Sequence, residues 1–256
     1  MELNFDIYSL ILAAGVAALA GVVGGFAIMK KMSLAGDVMS HIALPGIGIA
    51  LLLKVNPLYG AAATLILGTL FIWQLEKRSS LATDTAIGVA FTGAIALGVL
   101  LTPREDILDT LFGTFPSTDL NSFLAILGLI VFAGIVLFIF RNRLILSIFS
   151  PELAASTGVN VSITNHTYFL LFALMLFLGL QLLGTVLVGA LIIAPAAASR
   201  QISTTLGSFL SLSALFGVFS VVAGWLIAFR YQLELGPVIV CVATAVFAIS
   251  LLVKNK

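Results

Sequence analysis

Residues 34–46 read LAGDVMSHIALPG, and how this stretch is read decides the fold. On both sides the chain is apolar, so the stretch belongs to a segment long enough to cross a bilayer. Yet it contains Asp37, Ser40, His41 and Pro45. Either it is a polar loop on a soluble protein, or it is a membrane span with a charged face. Composition chooses between them. Of the 256 residues, 61% are hydrophobic and only 9% are charged, and the mean hydropathy is +1.22. Soluble domains run near half apolar and a quarter charged, so one soluble core cannot hide this surplus. The chain reads as all-α, a polytopic membrane protein whose solvent is lipid.

A span needs roughly 20 mostly apolar residues. Such runs fall at about 8–30, 34–54, 57–75, 84–102, 122–140, 167–183, 186–199, 205–229 and 236–253. The seventh is short and follows the sixth across Gly184, so nine passes are expected, with eight as the alternative. Basic residues concentrate on cytoplasmic loops. With the N-terminus outside and nine passes, Lys30, Lys31, Lys77, Arg78, Arg141, Arg143, Arg200, Lys254 and Lys256 fall inside, against Lys54, Arg104 and Arg230 outside. Eight passes lose part of that bias. The first run lacks a basic leader, since "MELNFD" carries Glu2 and Asp6 and no Lys or Arg, and it is expected to be retained as a helix. No composition shift marks a linker, and residues 1–256 read as one integral membrane domain.

Several function classes drop out. A net charge of +1 offers no basic patch for phosphates, which argues against a nucleic-acid partner. Cys241 is the lone cysteine, so neither a disulfide within the chain nor a cysteine metal cluster can form; it reads as a small buried hydrophobe. There is no GxxxxGK[ST] loop to cradle ATP phosphates, no HExxH and no GxSxG.

Chemistry therefore concentrates in the opening stretch. Residues i and i+4 share a helical face, which sets Asp37 and His41 side by side. Ionisable groups in hydrocarbon usually face a cavity or a partner. Carboxylate plus imidazole suits a borderline divalent cation such as zinc, manganese or iron. Two ligands make a weak site, and a two-fold dimer would supply four. Pro45 lacks the N–H that would bond the carbonyl of His41, so that carbonyl is expected to be free, or the proline to mark a kink. A structural Asp–His hydrogen bond and a headgroup-level position remain alternatives to an ion site. Elsewhere, Asp84 reads as a first-turn helix residue, His166 as an exposed boundary residue, and Pro195 as a hinge or kink. Between the fifth and sixth spans lies a short amphipathic helix candidate. Ser150 is its N-cap, Pro151 its first residue and Gly158 its stop.

Five stretches, in order, resemble one family: GDVMSHIALPGIGIALLL (36–53), TDTAIGVAFTGAIALGVLL (83–101), LFGTF (111–115), FSPELAASTGV (149–159) and LLGTVLVGALIIAPAAASR (182–200). The chain is similar to the membrane permeases of bacterial ATP-binding-cassette importers for zinc, manganese or iron. The resemblance implies a compact fold like that of vitamin B12 importer permeases, in the bacterial cytoplasmic membrane. It implies a homodimer, a separate cytoplasmic ATP-binding subunit and an extracytoplasmic metal-binding protein that delivers the ion. The permease itself would be no enzyme and would hold no tightly bound cofactor, only the transported manganese, zinc or iron. Asp37 and His41 match the family's metal-pathway pair. Ser150, Pro151, Glu152, Leu153, Ala154 and Gly158 match its ATPase-coupling helix, although Ser150 stands where many members have Asp. The alternatives from other classes are a secondary transporter or channel that uses Asp37 and His41 as a proton or ion relay, and an intramembrane enzyme.

Overall fold

The computed structural model describes residues 7–32, 35–78, 83–101 and 119–253. Among them the chain is helical throughout, without a strand. In chain order the helices are α1 (Ile7–Met29), α2 (Ala35–Ser40), a 3₁₀ turn (His41–Ala43), α3 (Leu44–Leu52), α4 (Pro57–Arg78), α5 (Thr83–Leu101), α6 (Leu120–Phe149), α7 (Pro151–Ser156), α8 (Val161–Leu183), α9 (Thr185–Ile202), α10 (Leu206–Tyr231) and α11 (Leu235–Leu252). Eight segments are long and apolar enough to cross a bilayer, the α2–α3 pair counting as one, and α9 is a shorter apolar helix beside them. The LFGTF stretch at 111–115 and the acidic connection around it lie outside the described residues.

Burial sorts the helices. Most of the apolar stretch of α1, of α2–α3 and of α8 is buried, whereas most of that of α4, α5, α6 and α11 is not. The first three therefore form the interior, and the others expose an apolar belt that includes Leu67, Val99, Leu100, Phe138 and Ile139. Such a belt would be an aggregation hazard in water and is the solvated face in lipid. α1 packs on α10, α9, α8 and α6, and α3 packs on α4 and α5.

Close backbone approach is what binds the interior, because apolar area alone gives no drive for helices to associate inside hydrocarbon. A Cβ added at Gly21 would collide with the Ser213 carbonyl, and one at Gly24 with the Ile192 carbonyl. One buried hydroxyl is tied the same way: Tyr168 Oη donates to the Val23 carbonyl at 3.0 Å.

Two helix ends differ from the sequence expectation, each for a local reason, and the break expected at Gly184 is present. α6 runs on to Phe149 because no breaker occurs before Ser150–Pro151; at about 1.5 Å per residue its 30 residues extend well past the ~30 Å hydrocarbon core. α8 starts at Val161, since the Asn160 side chain accepts the Ile163 N–H at 3.0 Å and caps the helix there. Gly184 sits at φ 80° and ψ 166°, a conformation open essentially to glycine, so α8 and α9 are two helices meeting at a corner. α9 continues through the buried Pro195 without a break.

Candidate functional site

The segment that carries Asp37 and His41 is not a continuous α-helix. α2 ends at Ser40, a 3₁₀ turn spans His41–Ala43, and α3 restarts with Pro45 in its first turn. The missing N–H of Pro45 explains the break. The carbonyl of His41 is not free, however. The turn tightens so that the Leu44 N–H reaches it instead, which corrects the expectation of an unpaired carbonyl beside the site. Pro45 marks an interruption of the span and not a vacant ligand.

The pair itself is assembled as the spacing predicts. His41 Nε2 lies 3.9 Å from Asp37 Oδ1, a distance at the edge of an ionic contact and too long for a hydrogen bond. The Asp37 side chain is 54% exposed and that of His41 17%. His41 Nδ1 is buried without a hydrogen-bond partner, and the ring sits 5.8 Å from that of Phe91 on α5. Ser40 does not serve the site: its Oγ donates to the Asp37 carbonyl at 2.6 Å. Among the described residues no group of three or more His, Cys, Asp or Glu converges. One chain thus offers a carboxylate and an imidazole, side by side and open on one side.

Contacts place the pair among its neighbouring helices. Gly189 of α9 touches Asp37, so close that a Cβ there would stand 2.9 Å from Asp37 Cα and 3.0 Å from its Oδ1. Gly189 lies in the first turns of α9, shortly after the corner at Gly184. Ile42, next to His41, rests on Gly68, near the middle of α4. The pair is thus packed inside the helix bundle, between α9 and the elements around α4. Gly189 and Phe91 were not singled out in the sequence as site residues. Nothing local in the sequence ties Gly189 to Asp37.

The second candidate element is α7. Ser150 occupies the N-cap position but its side chain makes no capping hydrogen bond; Pro151 opens the helix. Gly158, at φ 80°, ends it: the Val159 N–H bonds the Ala154 carbonyl and the Gly158 N–H that of Ala155, a Schellman arrangement. Ala154 is fully buried, while Pro151, Glu152 and Leu153 are exposed, Leu153 at 51% beside Phe149 at 68%. α7 rests on α6 and α8, whose extensions form a pedestal under it.

Other residues singled out in the sequence stand apart from the pair. Asp84 is exposed in the first turn of α5, as expected. His166 is half-buried against Trp73, with ring centroids 4.7 Å apart, and is not an open boundary residue. Cys241 is exposed on the lipid-facing side of α11, not buried.

An all-helical bundle of apolar spans that holds a carboxylate and an imidazole among its helices has the architecture of a membrane transport protein. The chain belongs to the ABC 3 transport family, whose model matches residues 3–254. It is 34% identical to the Manganese transport system membrane protein MntC of Halalkalibacterium halodurans, over 92% of this chain and 82% of that one. It is 28% identical to the High-affinity zinc uptake system membrane protein ZnuB of Haemophilus influenzae, over 91% of each. Among solved structures it resembles a chain of PsaBC from Streptococcus pneumoniae in complex with Fab, with a TM-score of 0.81 and 30% identity over 96% of this chain and 91% of that one. The protein is a multi-pass membrane subunit and carries no catalytic role of its own.

Proposed function

We propose that this chain is the permease of an ATP-driven importer of divalent transition metal, with Asp37 and His41 as cargo ligands and α7 as the dock for a separate ATP-binding subunit. Manganese and zinc are the metals that the names of its relatives carry, and iron shares the donor chemistry. The observation that carries the reading is the half-exposed Asp37 carboxylate, 3.9 Å from His41 within an apolar span. An Asp at the centre of a span costs about 2.5–3.5 kcal/mol to place against lipid. That cost is avoided if the exposed side faces a second copy across a two-fold axis, where two carboxylates and two imidazoles would surround the cation. A metal-binding protein outside the membrane would deliver the ion. The site must bind strongly enough to select and weakly enough to release. No tightly held cofactor is needed, because the energy comes from the ATPase through α7.

The deciding experiment is uptake of manganese, with zinc and iron as competitors, in cells lacking their own importer and supplied with the permease, its ATPase and its binding protein. Asp37→Ala and His41→Ala should each abolish uptake while the ATPase still co-purifies. Uptake that survives ATP depletion but collapses with the proton gradient would instead make the pair a relay in a secondary transporter.

A further inference from the structure

The turn that carries His41 is held from two sides. On one, α4 fixes the backbone: Ile42 rests on Gly68, and the Thr64 hydroxyl lies 3.4 Å from the Ala43 carbonyl. On the other, α5 packs against the same turn and sets the half-buried Phe91 ring 5.8 Å from the imidazole, tilted by 57°. Among the described residues nothing polar holds the imidazole itself. His41 Nδ1 is buried without a hydrogen-bond partner, and Nε2 stands 3.9 Å from Asp37 Oδ1, beyond hydrogen-bond reach. Metal-binding histidines ordinarily donate their second ring N–H to a carboxylate or a carbonyl, which fixes the ring and raises its basicity. His41 has an aromatic neighbour where such an acceptor would be expected.

We propose that Phe91 is the positioning residue of His41: its ring, in place of a hydrogen-bond acceptor, holds the imidazole with Nε2 toward Asp37. The inference rests on the reading of Asp37 and His41 as cargo ligands and goes past it to what sets their strength. A neutral imidazole that gives its Nε2 lone pair to a cation keeps its proton on Nδ1. That N–H then lies buried with no acceptor, so binding leaves one donor unpaired. The arrangement weakens the imidazole as a ligand while packing keeps it in place. A resident metal would be served better by an acceptor at Nδ1, but a cargo site must also release. Orientation bears on metal preference as well. Imidazole suits zinc more than manganese, for which carboxylate and water suffice. A ring free to turn away from Asp37 therefore costs zinc more than manganese. Because α4 fixes the backbone of the turn, a change at Phe91 acts on the ring and leaves the turn in place.

The test measures equilibrium binding to the purified full chain together with its ATPase. Manganese binding is read from loss of the free ion's electron paramagnetic resonance signal, and zinc is added as competitor. Phe91→Leu keeps the site apolar and removes the ring. It should weaken manganese binding roughly tenfold, the low end for loss of a residue that orients a metal ligand. Zinc should lose more, so that its advantage over manganese narrows, an effect a merely structural role would not produce. Phe91→Tyr keeps the ring and should restore both. Melting temperature and the amount of bound ATPase report the fold of each variant. Unchanged affinity with an unchanged zinc-to-manganese ratio in Phe91→Leu would overturn the proposal, as would a Phe91→Tyr variant no better than Phe91→Leu. His41→Ala separates the two readings. If it abolishes binding while Phe91→Leu binds like wild type, only the role of Phe91 fails. If it binds like wild type, the pair is not the cargo site and both readings fail.

Discussion

Asp37 and His41 come together because a helical turn brings residues four apart onto one side, and the 3₁₀ turn that begins at His41 leaves that spacing intact. Asp37→Asn keeps the size and removes the charge. It should weaken metal uptake by at least the roughly 10- to 100-fold that follows loss of an outer-shell partner in a metal site. Uptake of radiolabelled manganese against concentration checks this, and wild-type kinetics would exclude the carboxylate as a ligand. Gly189→Ala asks a finer question. Its methyl would stand 2.9 Å from Asp37 Cα, so the carboxylate must shift relative to α9. The concentration for half-maximal uptake should rise while the amount of bound ATPase stays unchanged. The pair was legible in the sequence because spacing and charge are local properties. The Gly189 contact and the pairing of the His41 carbonyl were not. They depend on which helix lies alongside and on how the chain tightens ahead of Pro45.

At the scale of single elements, the short helix α7 divides into a seat and a face. Ala154 is the seat, buried against the chain's own pedestal; Glu152 and Leu153 are the face. Glu152→Lys or Leu153→Asp should therefore reduce co-purification of the ATPase without changing the permease's melting temperature. Ala154→Leu should act the other way round, overpacking the seat by about 1–3 kcal/mol and lowering the melting temperature first. Loss of stability in Leu153→Asp would contradict the division. Gly184 gives a second test. At φ 80° and ψ 166° any side chain is strained, and Gly184→Ala should cost on the order of 1–3 kcal/mol, seen as an earlier thermal transition in detergent. Helix positions were readable from apolar runs, but helix ends outside the bilayer were not. Hydropathy stops at Arg141, whereas α6 continues until a residue actually breaks it. The capping side chain of Asn160 sets the start of α8 in the same way.

For the whole molecule, the ends of α1, α6 and α9 meet around one cavity, which places residues 31, 149 and 203 on the same side. If α9 crosses fully, Thr204 lies opposite the corner at Gly184 and on the side of α7. In a Cys241→Ser background, Thr204→Cys, at an exposed position, and Gly158→Cys should react with a membrane-impermeant thiol reagent only from the cytoplasmic side, and Gln232→Cys only from outside. Labelling of Thr204→Cys from outside would mean that α9 returns and that the chain crosses eight times. The second copy is the larger question. α2 packs on α5, and Gly88 lies on α5, one turn after the exposed Asp84. Gly88 has nothing within 4 Å to meet an added side chain, so a cysteine fits there without disturbing the fold. If the Asp37 carboxylate escapes lipid by facing its twin, Gly88→Cys in the same background should form a disulfide-linked dimer in membranes under mild oxidation. A control at Val131, exposed on α6 in the peripheral belt, should stay monomeric. Cross-linking at Val131 but not at Gly88 would place the two-fold axis elsewhere and leave Asp37 to a water-filled path through a single chain.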